Sequence, residues 1–161
     1  MNKKIRVGII GFGLSGRYLQ GPFFDEHDGF ELSAFVTKNN DPTLVFPKVK
    51  HYRSAEELIS DPDIDLISVC SPNETHYALT KQILASGKHV LVEKPFVADV
   101  YQAQELFDLA DALKLKIYVF QNRRFDSDFL TVEKILESKV LGELKSLDIY
   151  FHRNKPLPNP K

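Results

Sequence analysis

The chain has 161 residues, 21 Lys and Arg against 22 Asp and Glu, and 43% hydrophobic residues. This is the composition of an ordinary globular protein with room for one good core, and a net charge of −1 gives no bulk attraction to nucleic acid or anionic membrane. The single Cys70 excludes an internal disulfide, no run approaches the ~18 apolar residues of a membrane span, and Met1-Asn2-Lys3-Lys4 lacks the apolar stretch of a signal peptide, so a reducing cytoplasm is the expected location.

The first predicted element is a short apolar strand, Ile5 to Ile10, followed at once by Gly11-Phe12-Gly13-Leu14-Ser15-Gly16. G-x-G-x-x-G after a strand and before a helix is a dinucleotide fingerprint. Gly11 permits the tight turn, Gly13 lets the backbone approach a pyrophosphate, and Gly16 lets the helix pack closely on the strand. The helix N-terminus adds partial positive charge for the anion. A second strand, Glu31 to Thr37, is followed by the turn cluster Asn39-Asn40-Asp41-Pro42. Ser54-Ala55-Glu56-Glu57 reads as a capping box that opens a short helix ending near Asp61-Pro62.

Leu66 to Cys70 reads as a buried strand ended by Ser71-Pro72-Asn73, with a helix from about Glu74 to Ser86 and Gly87 as its C′ residue. The next strand, His89 to Val92, delivers Glu93-Lys94-Pro95. Val100, Ala103, Leu106, Phe107, Ala110 and Leu113 form a helical stripe, and Ile117 to Phe120 is a further strand ending in Gln121-Asn122-Arg123-Arg124. The alternation predicts an α/β fold with a mostly parallel sheet over residues 1–122. Residues 123–161 read differently. Phe129, Val132, Ile135, Leu136 and Val140 mark a helix stopped at Gly142, and Leu147, Ile149 and Phe151 alternate as a one-sided strand. A lone strand with an apolar face needs neighbours, so this portion is expected to be the first helix and strand of a second domain whose remainder is absent.

In an open parallel sheet, ligands bind outside the carboxyl ends of the strands, where Lys94 is held by rigid backbone. Glu93 and Lys94 also suit two solvated loop charges. Thr37 and Lys38 end the second strand, where an NAD site places an acid on the adenosine ribose. A hydroxyl and an ammonium there favour the 2′-phosphate of NADP, with NAD as the other possibility. Ser71, Pro72 and Asn73 border the same crevice and equally suit a helix start. His76 lies in the first turn of that helix, and no Cys or second His stands at metal-ligand spacing from it, so no metal site is expected. Of the polar run Gln121-Asn122-Arg123-Arg124, the two arginines could meet phosphate or carboxylate, or tie the two domains together through Asp126 and Asp128.

Together these pieces resemble the glucose-fructose oxidoreductase and inositol dehydrogenase family (Gfo/Idh/MocA). The matching segments are Gly11 to Gly16, Ser71-Pro72-Asn73-Glu74-Thr75-His76, Gly87 to Pro95, and Gln121 to Asp126, with His89-Val90-Leu91-Val92-Glu93-Lys94-Pro95 at the centre of the third. Gly-Phe-Gly-x-Ser-Gly with Phe120 to Thr131 is most similar to the NADP-linked scyllo-inositol dehydrogenase subgroup. The resemblance implies hydride transfer between the nicotinamide and a sugar or polyol hydroxyl. It makes Lys94 the residue that orients the hydroxyl and shares in proton transfer, with Glu93 setting the nicotinamide ribose and a cis Lys94–Pro95 bond. The cofactor contacts expected from the motifs and the resemblance together are Gly11, Phe12, Gly13, Leu14, Ser15, Gly16, Thr37, Lys38, Ser71, Pro72, Asn73, His76, Glu93, Lys94, Asn122 and Arg123. The resemblance also implies a Rossmann-type doubly wound parallel sheet for residues 1–122, with residues 123–161 as the start of a truncated α+β second domain through which a homo-oligomer is built. A non-catalytic dinucleotide sensor on the same fold is the alternative reading.

Overall fold

The computed structural model describes residues 3–152 and 154. The chain divides into two units, residues 1–121 and 122–161. The first is built on six parallel strands: β1 (Ile5–Ile10), β2 (Phe30–Val36), β3 (Lys50–Tyr52), β4 (Leu66–Val69), β5 (His89–Val92) and β6 (Ile117–Val119). Their order is β3-β2-β1-β4-β5-β6. The chain winds outward from β1 through β2 to β3, then crosses back to β4 and winds the other way. The switch point therefore lies between β1 and β4, where Ile10 pairs with Val36 on one side and Val69 on the other.

Both faces of the sheet are covered, which is why the central strands read as unbroken apolar runs. On one face Ile10, Val36, Ile67, Val69, Val90 and Val92 pack against α2 (Ala55–Ser60), α3 (His76–Ala85) and α4 (Val100–Ala112). Leu58 of α2 is fully buried there, and a Cβ on Gly8 would come within 2.6 Å of its side chain. On the other face Val7, Ile9, Leu32 and Phe35 meet Phe12, Phe24 and Phe46. Phe12 stands edge-on to Phe35 at a centroid distance of 4.9 Å.

The segment after the glycine turn is wound in two ways. Ser15–Gln20 is a π-helix, closed by a Gly21 N–H bond to the Gly16 carbonyl, and α1 (Gly21–Glu26) continues from it. The Ser54 half of the capping box forms, its hydroxyl accepting from Glu57 N–H at 3.2 Å, while the Glu57 carboxylate reaches one residue further back, to the Arg53 N–H at 2.9 Å. Gly87 ends the third helix with φ +83°. The sequence reading contains no counterpart of β3, since Lys50-His51-Tyr52 is only three residues long and not apolar.

Charges gather at the amino-terminal end of the strands. Arg6 Nε and Nη2 each donate to Asp65 at 2.9 Å, and Nη1 donates to Asp63 at 2.9 Å. Asp61 accepts from Lys50 at 3.0 Å and from the Tyr52 hydroxyl at 2.8 Å, and the buried Lys88 ammonium donates to the Asp61 and Ile64 carbonyls. Burial pushes the Asp61 carboxyl up, but bonds from the Asp63 amide, Tyr52 and Lys50 outweigh it and bring the group to about 2. The Arg6 guanidinium holds the Asp65 carboxyl far below the usual carboxylate range. Carboxyl groups depressed in the folded state stabilise it above their unfolded value, roughly 3.9, and that contribution is lost as pH falls through the folded value. The thermal midpoint is therefore expected to drop steeply between about pH 4 and pH 2. Asp65→Asn should be less stable than the unaltered chain at pH 7, with the gap narrowing towards pH 2; a gap independent of pH would show that the pair is not the source.

The second unit contains a tight turn, Asn122–Phe125, and α5 (Ser127–Ser138). The helix stops four residues before Gly142, at Lys139 in the left-handed region (φ 54°), because Lys139 N–H already turns back to the Leu136 carbonyl. The expected strand through Leu147, Ile149 and Phe151 is not formed: residues 145–152 make no ladder. A strand draws its hydrogen bonds from a neighbour, and the described part of this unit supplies none.

Candidate functional site

The glycine turn leaves β1 at Gly11, whose φ of +108° suits glycine. Its N–H bonds the Val36 carbonyl at 3.0 Å, and a Cβ there would lie 2.6 Å from the Cys70 carbonyl oxygen. A Cβ on Gly16 would fall 2.1 Å from the Gly11 carbonyl oxygen. These two glycines are therefore demanded by backbone layers pressed on each other. Gly13 differs, since a Cβ there meets nothing within 4 Å. Its place at the turn is open.

Beside this turn is a cleft of about 660 Å3 at the carboxyl ends of β1, β2 and β4. Gly11, Phe12, Gly13, Thr37, Lys38, Ser71 and Pro72 of the expected set line it, joined by Arg53, Ser54, Ala55 and Glu56. Phe12 gives the cleft its backbone while its ring is buried in the aromatic core. The cationic end is built by two strands: Thr37 N–H bonds the Tyr52 carbonyl at 3.1 Å, and Arg53 Nη1 donates to the Lys38 carbonyl at 2.8 Å. The nearest acid in sequence, Asp41, is held by Thr43 through its N–H at 2.9 Å and its hydroxyl at 2.6 Å. Those bonds lower its pKa. Arg53 was missed because the strand that presents it was missed.

Cys70 ends β4 under Gly11, and burial pushes its thiol up to about 11, so it stands there as a neutral group. One strand further along, β5 ends in Glu93 and an exposed Lys94. Glu93 N–H bonds the Val69 carbonyl at 3.0 Å, which sets the Lys94 turn beside Ser71 and Pro72. The Lys94–Pro95 bond is cis.

Several expected contacts have other places. His76 is fully buried, and its Nδ1 and Nε2 lie 2.9 Å and 3.0 Å from the Pro95 and Ser71 carbonyls. Both nitrogens are thus engaged by the two loops that flank the site, and the ring does not line the cleft. Leu14 and Asn73 are exposed, and Gly16 lies under the turn rather than in the cleft. Ser15 points inward, its hydroxyl donating to the Glu93 carboxylate. The Glu93 carboxylate is correspondingly buried, not presented to a ribose. Asn122 and Arg123 belong to the second unit, where Arg123, rather than Arg124, pairs with Asp126 at 2.6 Å. Among the described residues no group of three metal-ligating side chains occurs, and no helix is long and apolar enough to cross a membrane.

The same architecture is found in known proteins. The profile of an oxidoreductase family with an NAD-binding Rossmann fold, Gfo/Idh/MocA, matches residues 5–121. The chain belongs to the Gfo/Idh/MocA family. It is 42% identical over 159 residues to the uncharacterized oxidoreductase YdgJ of Escherichia coli, covering 97% of this chain and 45% of YdgJ. It is 34% identical over 153 residues to the NADP-linked scyllo-inositol 2-dehydrogenase IolW of Bacillus subtilis, covering 94% of this chain and 43% of IolW. Among solved structures, the 3-ketoreductase KijD10 of Actinomadura kijaniata, crystallised with TDP-benzene and NADP, superposes with a TM-score of 0.80 at 27% identity, covering 88% of this chain and 46% of KijD10. The chain thus spans less than half the length of these Gfo/Idh/MocA relatives.

The residues present fit a dinucleotide. The turn is closed around glycines that admit no side chain, its one open glycine faces free space, and the adjoining cleft ends in a lysine and an arginine.

Proposed function

We propose that this chain is the cofactor-binding half of an NADP-linked oxidoreductase acting on a carbon-bound hydroxyl of a sugar or polyol, with Lys94 as its proton-handling residue. The reading is carried by one observation: the glycine turn and Lys94 stand at the carboxyl ends of β1 and β5, with the Ser71-Pro72 rim of β4 between them. The NADP-linked names of IolW and KijD10 support it. When bound, the nicotinamide supplies the group that accepts or donates hydride. The chain's own part is to bind and to orient. Gly13 leaves room for a pyrophosphate against the backbone. Lys38 and Arg53 meet the 2′-phosphate as a charge-assisted pair. Lys94 Nζ, with three donors, holds the reacting hydroxyl and exchanges its proton. In this reading the rest of the full-length protein brings most of the substrate pocket and the contacts between copies.

Calorimetric titration of the chain with NADP and NAD is the direct test, and NADP should bind more tightly. Lys38→Ala should weaken NADP by roughly five- to thirtyfold, the worth of one exposed charge-assisted contact, and leave NAD nearly unchanged. An equal loss for both cofactors would show that Lys38 does not read the phosphate, and no binding of either would sink the proposal.

A further inference from the structure

The residue before Lys94 carries the most unusual environment in the first unit. Glu93 is only 8% exposed, yet no cation faces its carboxylate among the described contacts. One oxygen, Oε1, accepts from the Ser15 hydroxyl and from Gln20 Nε2 at 3.1 Å. The other, Oε2, accepts from the Lys94 N–H at 2.9 Å. Gln20, 1% exposed, also donates to the Ser15 hydroxyl at 3.2 Å and accepts from the Ser68 hydroxyl through Oε1. Every atom of this chain of bonds has a partner, as a buried carboxylate demands.

The π winding explains how two side chains five residues apart reach one carboxylate. In an α-helix, Ser15 and Gln20 would point roughly 140° apart about the axis. Bonds from i to i+5 widen the turn and bring both to the same side. That widening is possible because Gly16 and Gly21 sit where a Cβ would fall 2.1 Å and 2.7 Å from a carbonyl oxygen of the turn below.

We propose that Glu93 is a positioning residue: with Ser15 and Gln20 it forms a buried strut that fixes the Lys94 turn to the glycine turn. The strut rests on the proposed function only for its purpose, which is to hold the pyrophosphate end and the proton-handling end of one site at a set separation. Ser68 ties the strut to β4, the strand between them. Glu93 then acts through the backbone on either side of it and not through a ribose.

The test uses two variants, Gln20→Met, which keeps length but removes the amide, and Glu93→Gln. Hydrogen exchange by NMR on the free chain reads the strut without any ligand. In both variants the Lys94 amide and the amides from Gly13 to Arg17 should exchange about tenfold faster, while those of Val90 and Leu91 in β5 stay unchanged. With ligand, NADP should bind about tenfold more weakly to each variant, and adenosine 2′-phosphate, which spans only the Lys38 and Arg53 end, within about twofold of the unaltered chain. A uniform rise in exchange across the sheet, no rise at Lys94, or equal losses for both ligands would overturn the strut. So would failure of both variants to fold, which would make the network a requirement of the core. If the unaltered chain binds neither ligand, the proposed function fails while the exchange result still decides the strut.

Discussion

In the full-length protein, Lys94→Ala should lower kcat by about 10²–10⁴-fold while the affinity for NADP changes by less than about threefold. The lysine is not among the residues that line the cleft with Gly13, Lys38 and Arg53, so on the proposed reading its removal leaves the pyrophosphate and 2′-phosphate contacts in place. On the proposed reading, what disappears is the group that holds the hydroxyl and takes its proton as the carbon–hydrogen bond breaks. Lys94→Arg should not restore turnover. A guanidinium keeps its proton at any working pH, and its planar fork does not occupy the place of an ammonium. Steady-state kinetics beside a cofactor titration gives the answer. Turnover within about threefold of the unaltered enzyme would remove Lys94 from the chemistry.

Two glycines of the same motif should fail in opposite ways. Gly13→Val is expected to fold with a thermal midpoint close to the unaltered chain, because the Cβ of its side chain has no atom within 4 Å. The same side chain occupies the volume a pyrophosphate needs, so dinucleotide affinity should fall by about 100-fold or more. Gly16→Val is expected to lose about 3 kcal/mol of stability or more, or not to fold, since its Cβ would be pressed against the Gly11 carbonyl oxygen at 2.1 Å and backbone cannot move aside cheaply. Circular dichroism and calorimetry on the two variants separate the outcomes. Unchanged binding by Gly13→Val would reduce the glycine run to a turn without a ligand.

Much of this was legible in the sequence, and the parts that were not share a physical reason. Gly11 and Gly16 announce themselves because a backbone conformation and a close approach each demand glycine. The buried strands Leu66–Val69 and His89–Val92 announce themselves because a sheet covered on both faces leaves no polar alternation. By contrast β3 is held by its pairing with β2 and by Tyr52 reaching Asp61, neither of which leaves a periodic trace in three residues. Arg53 went unseen with it. The π winding was unreadable because it answers to a carboxylate more than seventy positions away, Glu93, and not to local propensity. His76 and Glu93 stand among the expected cofactor contacts, Glu93 through the family resemblance, whereas the fold turns both side chains inward. In the second unit the alternation around Ile149 is genuine in the sequence, but alternation states a preference for a face and cannot supply a ladder.

The π segment has a consequence for how such a helix can be reached or lost by insertion and deletion. A one-residue deletion inside a helix ordinarily rotates everything beyond it by about 100° and scrambles the packed face. Here the deletion of Tyr18 or Leu19, both solvent-facing, would remove the surplus residue and leave an ordinary α-helix still anchored by the glycines before it. The helix itself would gain regularity. Ser15 and Gln20 would then stand four residues apart, about 40° around the axis, so the regular helix would present both to Glu93 as well; the π winding keeps that grip in a sequence one residue longer.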